Sequence, residues 1–465
     1  MKANPTICAI STAPGMGGIA VIRVSGTTAL STVDQIYRPL QKDVKLIDQA
    51  AYTLSHGQIL TPDEVVIDEV LVTVFRAPHS FTGEDVIEIA CHGSTFIQQT
   101  ILELLIKTGC ELAQPGEFTQ RAFLNGKMDL SQAEAVADLI ASTSSGAHRM
   151  ALNQMRGGFS EKLNQLRTQL LNFVSLVELE LDFSEEDVEF ANREQLKTLA
   201  TGIEAHIRKL AESFRVGNAI KKGIPVALVG ETNVGKSTLL NHLLNEDKAI
   251  VSDIHGTTRD VIEDVVEVQG ITFRFIDTAG IRKTTDTIET MGIERTFKKI
   301  EQAEIVLWIL DCTQLSEHME WLTSKIVKKA KGKPIILLFN KIDKITHDER
   351  DVLSQLFESF EGEQIFISAK NKTNTHLLEE ALLRAARLPE LQTGDVVVNN
   401  VRHYNALNKA HEAIQRVLSG LDSGITGDFL SQDIRECMFH LGEITGQISN
   451  DEVLINIFSK FCIGK

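Results

Sequence analysis

The stretch that decides the fold runs from Val226 to Thr238, V-A-L-V-G-E-T-N-V-G-K-S-T. A short apolar run suited to a buried strand breaks at Gly230. From Gly235 an apolar-periodic segment with Leu239, Leu240, Leu243 and Leu244 opens a helix. Between them lies G-x-x-x-x-G-K-S, a loop of Gly230, Asn233, Val234, Gly235, Lys236, Ser237 and Thr238. The glycines let successive backbone N–H groups wrap a phosphate, Lys236 adds a positive charge, and the Ser237 hydroxyl is placed to ligate Mg²⁺. The stretch reads as a phosphate cradle where a strand turns into a helix.

Such a pattern arises by chance in roughly one or two chains per hundred of this length, so its neighbours must decide. Downstream come Gly256-Thr257-Thr258, Asp277-Thr278-Ala279-Gly280, Asn340-Lys341-Ile342-Asp343 and Ser368-Ala369-Lys370. Strand-like runs at 272–276, 335–339 and 364–367 lead into the last three, which puts them on one edge of a parallel sheet, where doubly wound folds bind ligands. This set resembles the G domain of small GTPases. Asp343 can accept from both the ring N–H and the amine of guanine, whereas adenine would leave the carboxylate facing an acceptor, at about 1–3 kcal/mol. Asp277 is placed to reach Mg²⁺ through water and Gly280 to offer its N–H to the γ-phosphate. Thr258 supplies a second metal-ligating hydroxyl, in a loop ordered by that phosphate. Ser252, Asp253, Ile254 and His255, which run into that loop, are assigned to the same nucleotide. Ile281 stands where Ras-like enzymes carry a water-orienting glutamine, so water positioning and charge neutralisation must come from elsewhere.

The 465 residues allow two to four domains, and 43% hydrophobic residues suffice for full cores. The six cysteines (Cys8, Cys91, Cys110, Cys312, Cys437 and Cys462) show neither disulfide nor zinc spacing. A net charge of −16 argues against a protein that coats nucleic acid, so any RNA contact needs a local basic patch. No apolar run approaches a membrane span, and no export or anchoring is expected; Gly464 and Lys465 do not suit a prenylation box around Cys462.

Residues 1–120 read as an α+β module with strands near 6–10, 19–24, 70–75 and 86–90 and a helix over 95–107. Gly15 to Ala20 loosely matches G-x-G-x-x-A, but the residues after it alternate like a strand and a dinucleotide fingerprint must open a helix, so it reads as a turn. From 121 to 222 the texture is helical: Ser131 and Glu134 form a candidate capping box, and Leu163, Leu166, Leu170, Phe173, Val177 and Leu181 make a stripe. Glu185-Glu186-Asp187 reads as a solvated helix end. The G domain spans 223–387, and helices return over 388–465, with Leu407, Ile414, Val417 and Leu421 on one face and Val453, Leu454, Ile457, Phe458 and Phe461 on another. The expected fold is a Ras-like P-loop G domain, α/β and doubly wound, inserted in an α-helical domain and preceded by an α+β domain.

Over its whole length the sequence resembles the MnmE (TrmE) family of tRNA-modification GTPases. The resemblance rests on Gly17-Gly18-Ile19 through Arg23-Val24-Ser25-Gly26, Ser80-Phe81-Thr82-Gly83-Glu84-Asp85, Pro115-Gly116-Glu117-Phe118, Arg121 to Asn125, the G domain and the tail Phe461 to Lys465. It implies a cytoplasmic homodimer with a folate-binding N-terminal domain and a flavoprotein partner, MnmG, which carries the FAD. Together they would place a carboxymethylaminomethyl-type group on carbon 5 of the wobble uridine of tRNA. It further implies K⁺ held by Asn233, Ser252, Ile254 and Thr257, catalytic roles for Glu289 and Arg282 in the second switch, and a tetrahydrofolate derivative (5,10-methylene or 5-formyl) on Arg23, Glu88, Lys127 and Lys465. Cys462 would handle the one-carbon unit. Ser252 stands where the family commonly has threonine, a change that a backbone ligand tolerates. The rival reading, a regulatory GTPase that binds RNA or ribosomes without covalent chemistry, calls for a basic RNA-binding appendage such as a G-x-x-G loop. None is visible in the sequence.

Overall fold

The computed structural model describes residues 4–40, 45–182, 193–246, 264–276, 297–314, 317–388, 396–448, 451–459, 461 and 463–464. The chain forms two compact units, one of residues 1–140, 153–203 and 412–465, the other of 141–152 and 204–411.

The first unit begins with a seven-stranded sheet of β1 (Ile7–Ile10), β2 (Ile19–Ser25), β3 (Tyr37–Pro39), β4 (Thr53–Leu60), β5 (Val66–Phe75), β6 (Val86–His92) and β7 (Glu111–Leu112), in the order β3-β4-β5-β6-β2-β1-β7. Neighbours are antiparallel except β1 and β7. Alternation does the work: Val70, Val72 and Val74 turn inward with Ile87, Ile89, Ile22 and Val24, and helix Thr95–Lys107 covers them with Ile101, Leu104 and Leu105. That helix falls where its periodicity predicts. Gly15 to Gly18 lead into β2, not into a helix, as expected. β3 and β4 are additions to the sequence reading, because T-L-S-H-G-Q-I-L carries too many polar residues to alternate cleanly. Gly57 is required there, since a Cβ would lie 2.3 Å from the Tyr37 ring.

The helical part corrects the expected cap. Helix Leu130–Ala141 is closed by Asp129 and Gln132, with Gln132 N–H donating to Asp129 Oδ1 at 2.9 Å and Asp129 N–H to Gln132 Oε1 at 2.9 Å. Ser131 is instead buried, its hydroxyl on that of Ser160 at 2.9 Å. The frames S-x-x-E and D-x-x-Q overlap, and the core claims the serine. Helix Gly158–Asp182 buries Leu163, Leu166, Leu170, Phe173 and Val177 and packs against helix Gly427–Thr445 through Ile434, Cys437, Leu441 and Ile444. The Leu181 side chain and Glu185-Glu186-Asp187 lie outside the described residues. Helix Val401–Ser423 buries Leu407, Ile414, Val417 and Leu421 as predicted. In helix Asp451–Phe458 the inward face is Leu454 and Phe458, joined by Ile457 and, just beyond the helix, Phe461, against Leu130 and Ala133. Val453 is 37% exposed, a correction that follows from its being one step, about 100°, off the Leu454 stripe.

The second unit holds a six-stranded sheet of β8 (Ile224–Gly230), β9 (Asp264–Val268), β10 (Ile271–Phe275), β11 (Ile305–Asp311), β12 (Ile335–Asn340) and β13 (Glu363–Ile367), ordered β13-β12-β11-β8-β10-β9. It is parallel apart from β9 against β10. Both faces are covered, so successive residues of β8 enter different cores: Val226 and Leu228 one, Ala227 and Val229 the other. The C-terminal ends of β8, β10, β12 and β13 share one edge. Among the described residues no helix is long and apolar enough to cross a membrane.

Candidate functional site

β8 stops at Gly230, where a Cβ would lie 2.6 Å from the Ile309 carbonyl of β11. The chain then turns through Asn233, in the left-handed region at φ 62°, and Gly235 at φ 103°, where a Cβ would approach Asn340 Nδ2 to 2.2 Å. Lys236 opens helix Lys236–Glu246, and its ammonium donates to the carbonyls of Gly230 at 2.7 Å and Glu231 at 2.5 Å. Burial pulls its pKa down to about 8, Lys299 pushes the same way, and Glu231 opposes them. Val234 is buried, while Asn233, Ser237 and Thr238 are exposed at the mouth of the loop. A cation whose hydrogen bonds end on backbone carbonyls, beside an exposed hydroxyl and a helix N-terminus, fits an incoming phosphate and its Mg²⁺.

The loops after β12 and β13, to which the sequence assigns the base, converge on this cradle. Asn340, 3% exposed at the end of β12, donates to Val234 O at 2.7 Å and accepts from Ala369 N–H at 2.9 Å. It braces the cradle against the β13 loop. Lys341, at φ 69°, reaches Asp311 Oδ2 at 2.5 Å. Burial raises the Asp311 carboxyl, but Lys341 and the backbone and hydroxyl of Thr313 more than offset this and hold it below the usual carboxylate range. Sequence reasoning missed Asp311; the one signal was an acid ending the apolar run of residues 305–310. Asp343 is exposed in the turn Ile342–Lys344, and its Oδ1 accepts the Ser368 hydroxyl at 2.6 Å. Ser368 thus aims the carboxylate that the sequence assigns to guanine. Ala369 is buried and Lys370 exposed beside it.

Ser252, Asp253, Ile254, His255, Gly256, Thr257, Thr258, Asp277, Thr278, Ala279, Gly280, Arg282 and Glu289 lie outside the described residues, as do Cys462 and Lys465. The described chain reaches Ile276, whose N–H bonds Val226 O at 3.0 Å on the strand that ends in the cradle.

A second cluster lies in the first unit. Arg23 on β2 and Glu88 on β6 face each other in register, and the guanidinium donates to Glu88 Oε1 at 3.0 Å (Nε) and 2.7 Å (Nη2). Phe81 and Phe118 flank Arg23, with ring centroids 5.4 and 5.6 Å from its central carbon. Both bonds end on Oε1, which leaves Glu88 Oε2 as an open acceptor among the described residues. Lys127 Nζ bonds Pro78 O at 2.8 Å on the same loop side. Beneath them lies a network not anticipated as a unit: buried Arg121 joins Glu84 at 3.1 Å and Glu117 at 2.7 Å, and Glu84 also accepts from Ser25 at 2.7 Å. It ties the Phe81 loop to the Phe118 helix. The tail arrives here too, the Gly464 carbonyl accepting from the Ser11 hydroxyl at 3.0 Å.

The chain matches the family model described as the MnmE helical domain over residues 130–462 and that described as the N-terminus of GTP-binding protein TrmE over residues 6–127. The tRNA modification GTPase MnmE of Bacteroides thetaiotaomicron is 61% identical over 463 residues, covering 99% of each chain. The protein of the same name from Bacteroides fragilis is 60% identical over 463 residues, again 99% of each. That of Porphyromonas gingivalis is 50% identical over 466 residues, 99% of this chain and 98% of that one.

Proposed function

The chain belongs to the MnmE family of tRNA modification GTPases, and on that footing we propose that it hydrolyses GTP to drive modification of carbon 5 of the tRNA wobble uridine. The observation that carries the reading is the convergence of Lys236, Asn340, Asp343 and Ser368 at one sheet edge, in a family of tRNA modification GTPases. Lys236 would hold the β- and γ-phosphates, Ser237 and Thr258 the Mg²⁺, and Asp343 the guanine. K⁺ is assigned to Asn233, Ser252, Ile254 and Thr257, where it would supply the charge an arginine supplies in other GTPases. Glu289 and Arg282 are assigned to the attacking water and its surroundings.

Arg23, Glu88, Lys127 and Lys465 are assigned to a reduced folate, which supplies a one-carbon unit when bound. The pterin edge would face Glu88 Oε2 and the glutamate tail the cations. A homodimer working in the cytoplasm with a flavoprotein partner, MnmG, completes the proposal, with the four segments 1–120, 121–222, 223–387 and 388–465 as its domains. Mass spectrometry of wobble uridines tests it: cells lacking the protein should lose the aminomethyl-type group and regain it with the wild-type chain but not with Lys236→Ala. Unchanged uridines in the deleted strain would end this reading. The K⁺ assignment is tested apart, by GTP turnover in K⁺ and Na⁺ salts of equal strength; equal rates refute it.

A further inference from the structure

The G-domain sheet, whose first strand begins at Ile224, is fastened to a helix that ends far earlier in the chain, at Met155. Glu267 on β9 accepts the Ser145 hydroxyl at 2.5 Å and the Ser145 backbone N–H at 3.2 Å. Ser145 is the first residue of helix Ser145–Met155, and another first-turn donor, Ala147 N–H, is taken by the Ser144 hydroxyl at 3.2 Å. First-turn N–H groups have no partner inside their helix and stand at the positive end of its dipole, so a carboxylate there makes charge-assisted bonds. The backbones also meet: a Cβ on Gly146 would lie 2.2 Å from the Gly270 carbonyl, and one on Gly270 would lie 3.4 Å from Arg149 Nη2. Segment 141–152 accordingly belongs to the same compact unit as the G domain.

The part so fastened is a tight hairpin over buried side chains. Gln269 and Gly270, at φ 51° and 84°, make a two-residue turn of the kind that matches strand twist, closed by Val268 opposite Ile271. Val266, Val268, Phe273 and Phe275 are buried beneath it. At its other end β10 pairs with β8, Phe275 opposite Val226, on the strand that ends in the cradle. β10, Ile271–Phe275, thus runs from the fastened tip to the strand that ends in the cradle.

We propose that Glu267 is a positioning residue for GTP hydrolysis: with Ser145 and Gly146 it clamps the tip of the β9–β10 hairpin to helix Ser145–Met155, so that this helix and the hairpin, whose β10 pairs with the strand that ends in the cradle, share one conformational equilibrium. Coupling of this kind is reciprocal, the nucleotide biasing the helix and the helix biasing turnover. The proposal rests on GTP hydrolysis by the G domain, and wild-type turnover checks that premise separately.

The test is hydrogen exchange of segment 145–155 in the full chain, with GDP and with a non-hydrolysable GTP analogue, beside steady-state GTPase kinetics. Wild-type exchange should differ between the two nucleotides. Glu267→Ala should erase the difference and lower kcat by about fivefold, with KM for GTP within about twofold of wild type; Glu267→Gln, which keeps an acceptor oxygen, should retain the difference. Identical exchange with both nucleotides in the wild type, or an undiminished difference in Glu267→Ala, overturns the clamp. If Glu267→Ala does not fold, Ser145→Ala, which deletes only the hydroxyl bond, decides: a reduced difference supports the clamp and a full one overturns it. A wild-type chain without GTP turnover would instead strike at the premise.

Discussion

At Lys236 burial works against the charge that the site needs. With its pKa near 8 the ammonium begins to lose its proton just above neutrality, and a bound phosphate must raise that pKa by favouring the charged form. The sign follows: the contribution to binding is complete below the free-state value and is lost as pH rises from there toward the bound-state value. The GDP dissociation constant should therefore increase about fourfold between pH 7 and pH 8.5. Lys236→Met, with no proton to lose, should bind weakly without that slope. A flat wild-type profile measured by fluorescent-nucleotide titration would show that Lys236 is not the titrating group. That Lys236, Asn340, Asp343 and Ser368 meet at one sheet edge was legible in the sequence, because each motif ends a strand-like run. The partners were less so: that Asn340 bonds Val234 and Ala369, or that Asp311 holds Lys341, depends on strands brought together from distant parts of the chain.

Elements were legible where one period dominates. Helix Thr95–Lys107 and the stripe of helix Gly158–Asp182 have a single unbroken apolar face, and the parallel strands of the G domain are short apolar runs bounded by turn residues. Legibility failed where two local rules compete and tertiary contacts choose. The cap of helix Leu130–Ala141 went to Asp129 because the core needs Ser131 against Ser160. β4 escaped notice because it faces Tyr37 through a glycine and carries polar residues outward. The contact between Glu267 and Ser145 had no local signature at all: one residue looks like a strand-surface acid and the other like an ordinary serine in a loop. Only the folded chain shows that a helix start and a hairpin tip satisfy each other.

For the whole molecule, the tail and the phosphate cradle belong to different compact units, and this separates the two proposed chemistries. Phe461 packs on Phe458 with ring centroids 5.4 Å apart, and Gly464, at φ 92°, lies so close to β1 that a Cβ would stand 2.3 Å from the Ile10 carbonyl. Ile10 follows Ala9, which pairs with Arg23, which pairs in turn with Glu88. The tail therefore reaches the strand ends beside the proposed folate residues, and Cys462 and Lys465 adjoin it in the chain. Leu454 and Phe458, which anchor the last helix, precede the final four residues, so removing those four leaves the apolar contacts in place. We expect deletion of residues 462–465, or Cys462→Ser alone, to leave GTP affinity and turnover within about twofold of wild type. The same variants should lose wobble-uridine modification, measured by mass spectrometry of tRNA from complemented cells. Normal modification by the truncated chain would remove the tail from the chemistry. Loss of GTPase activity along with modification would make the tail a structural part of the fold, with Cys462 a packing thiol.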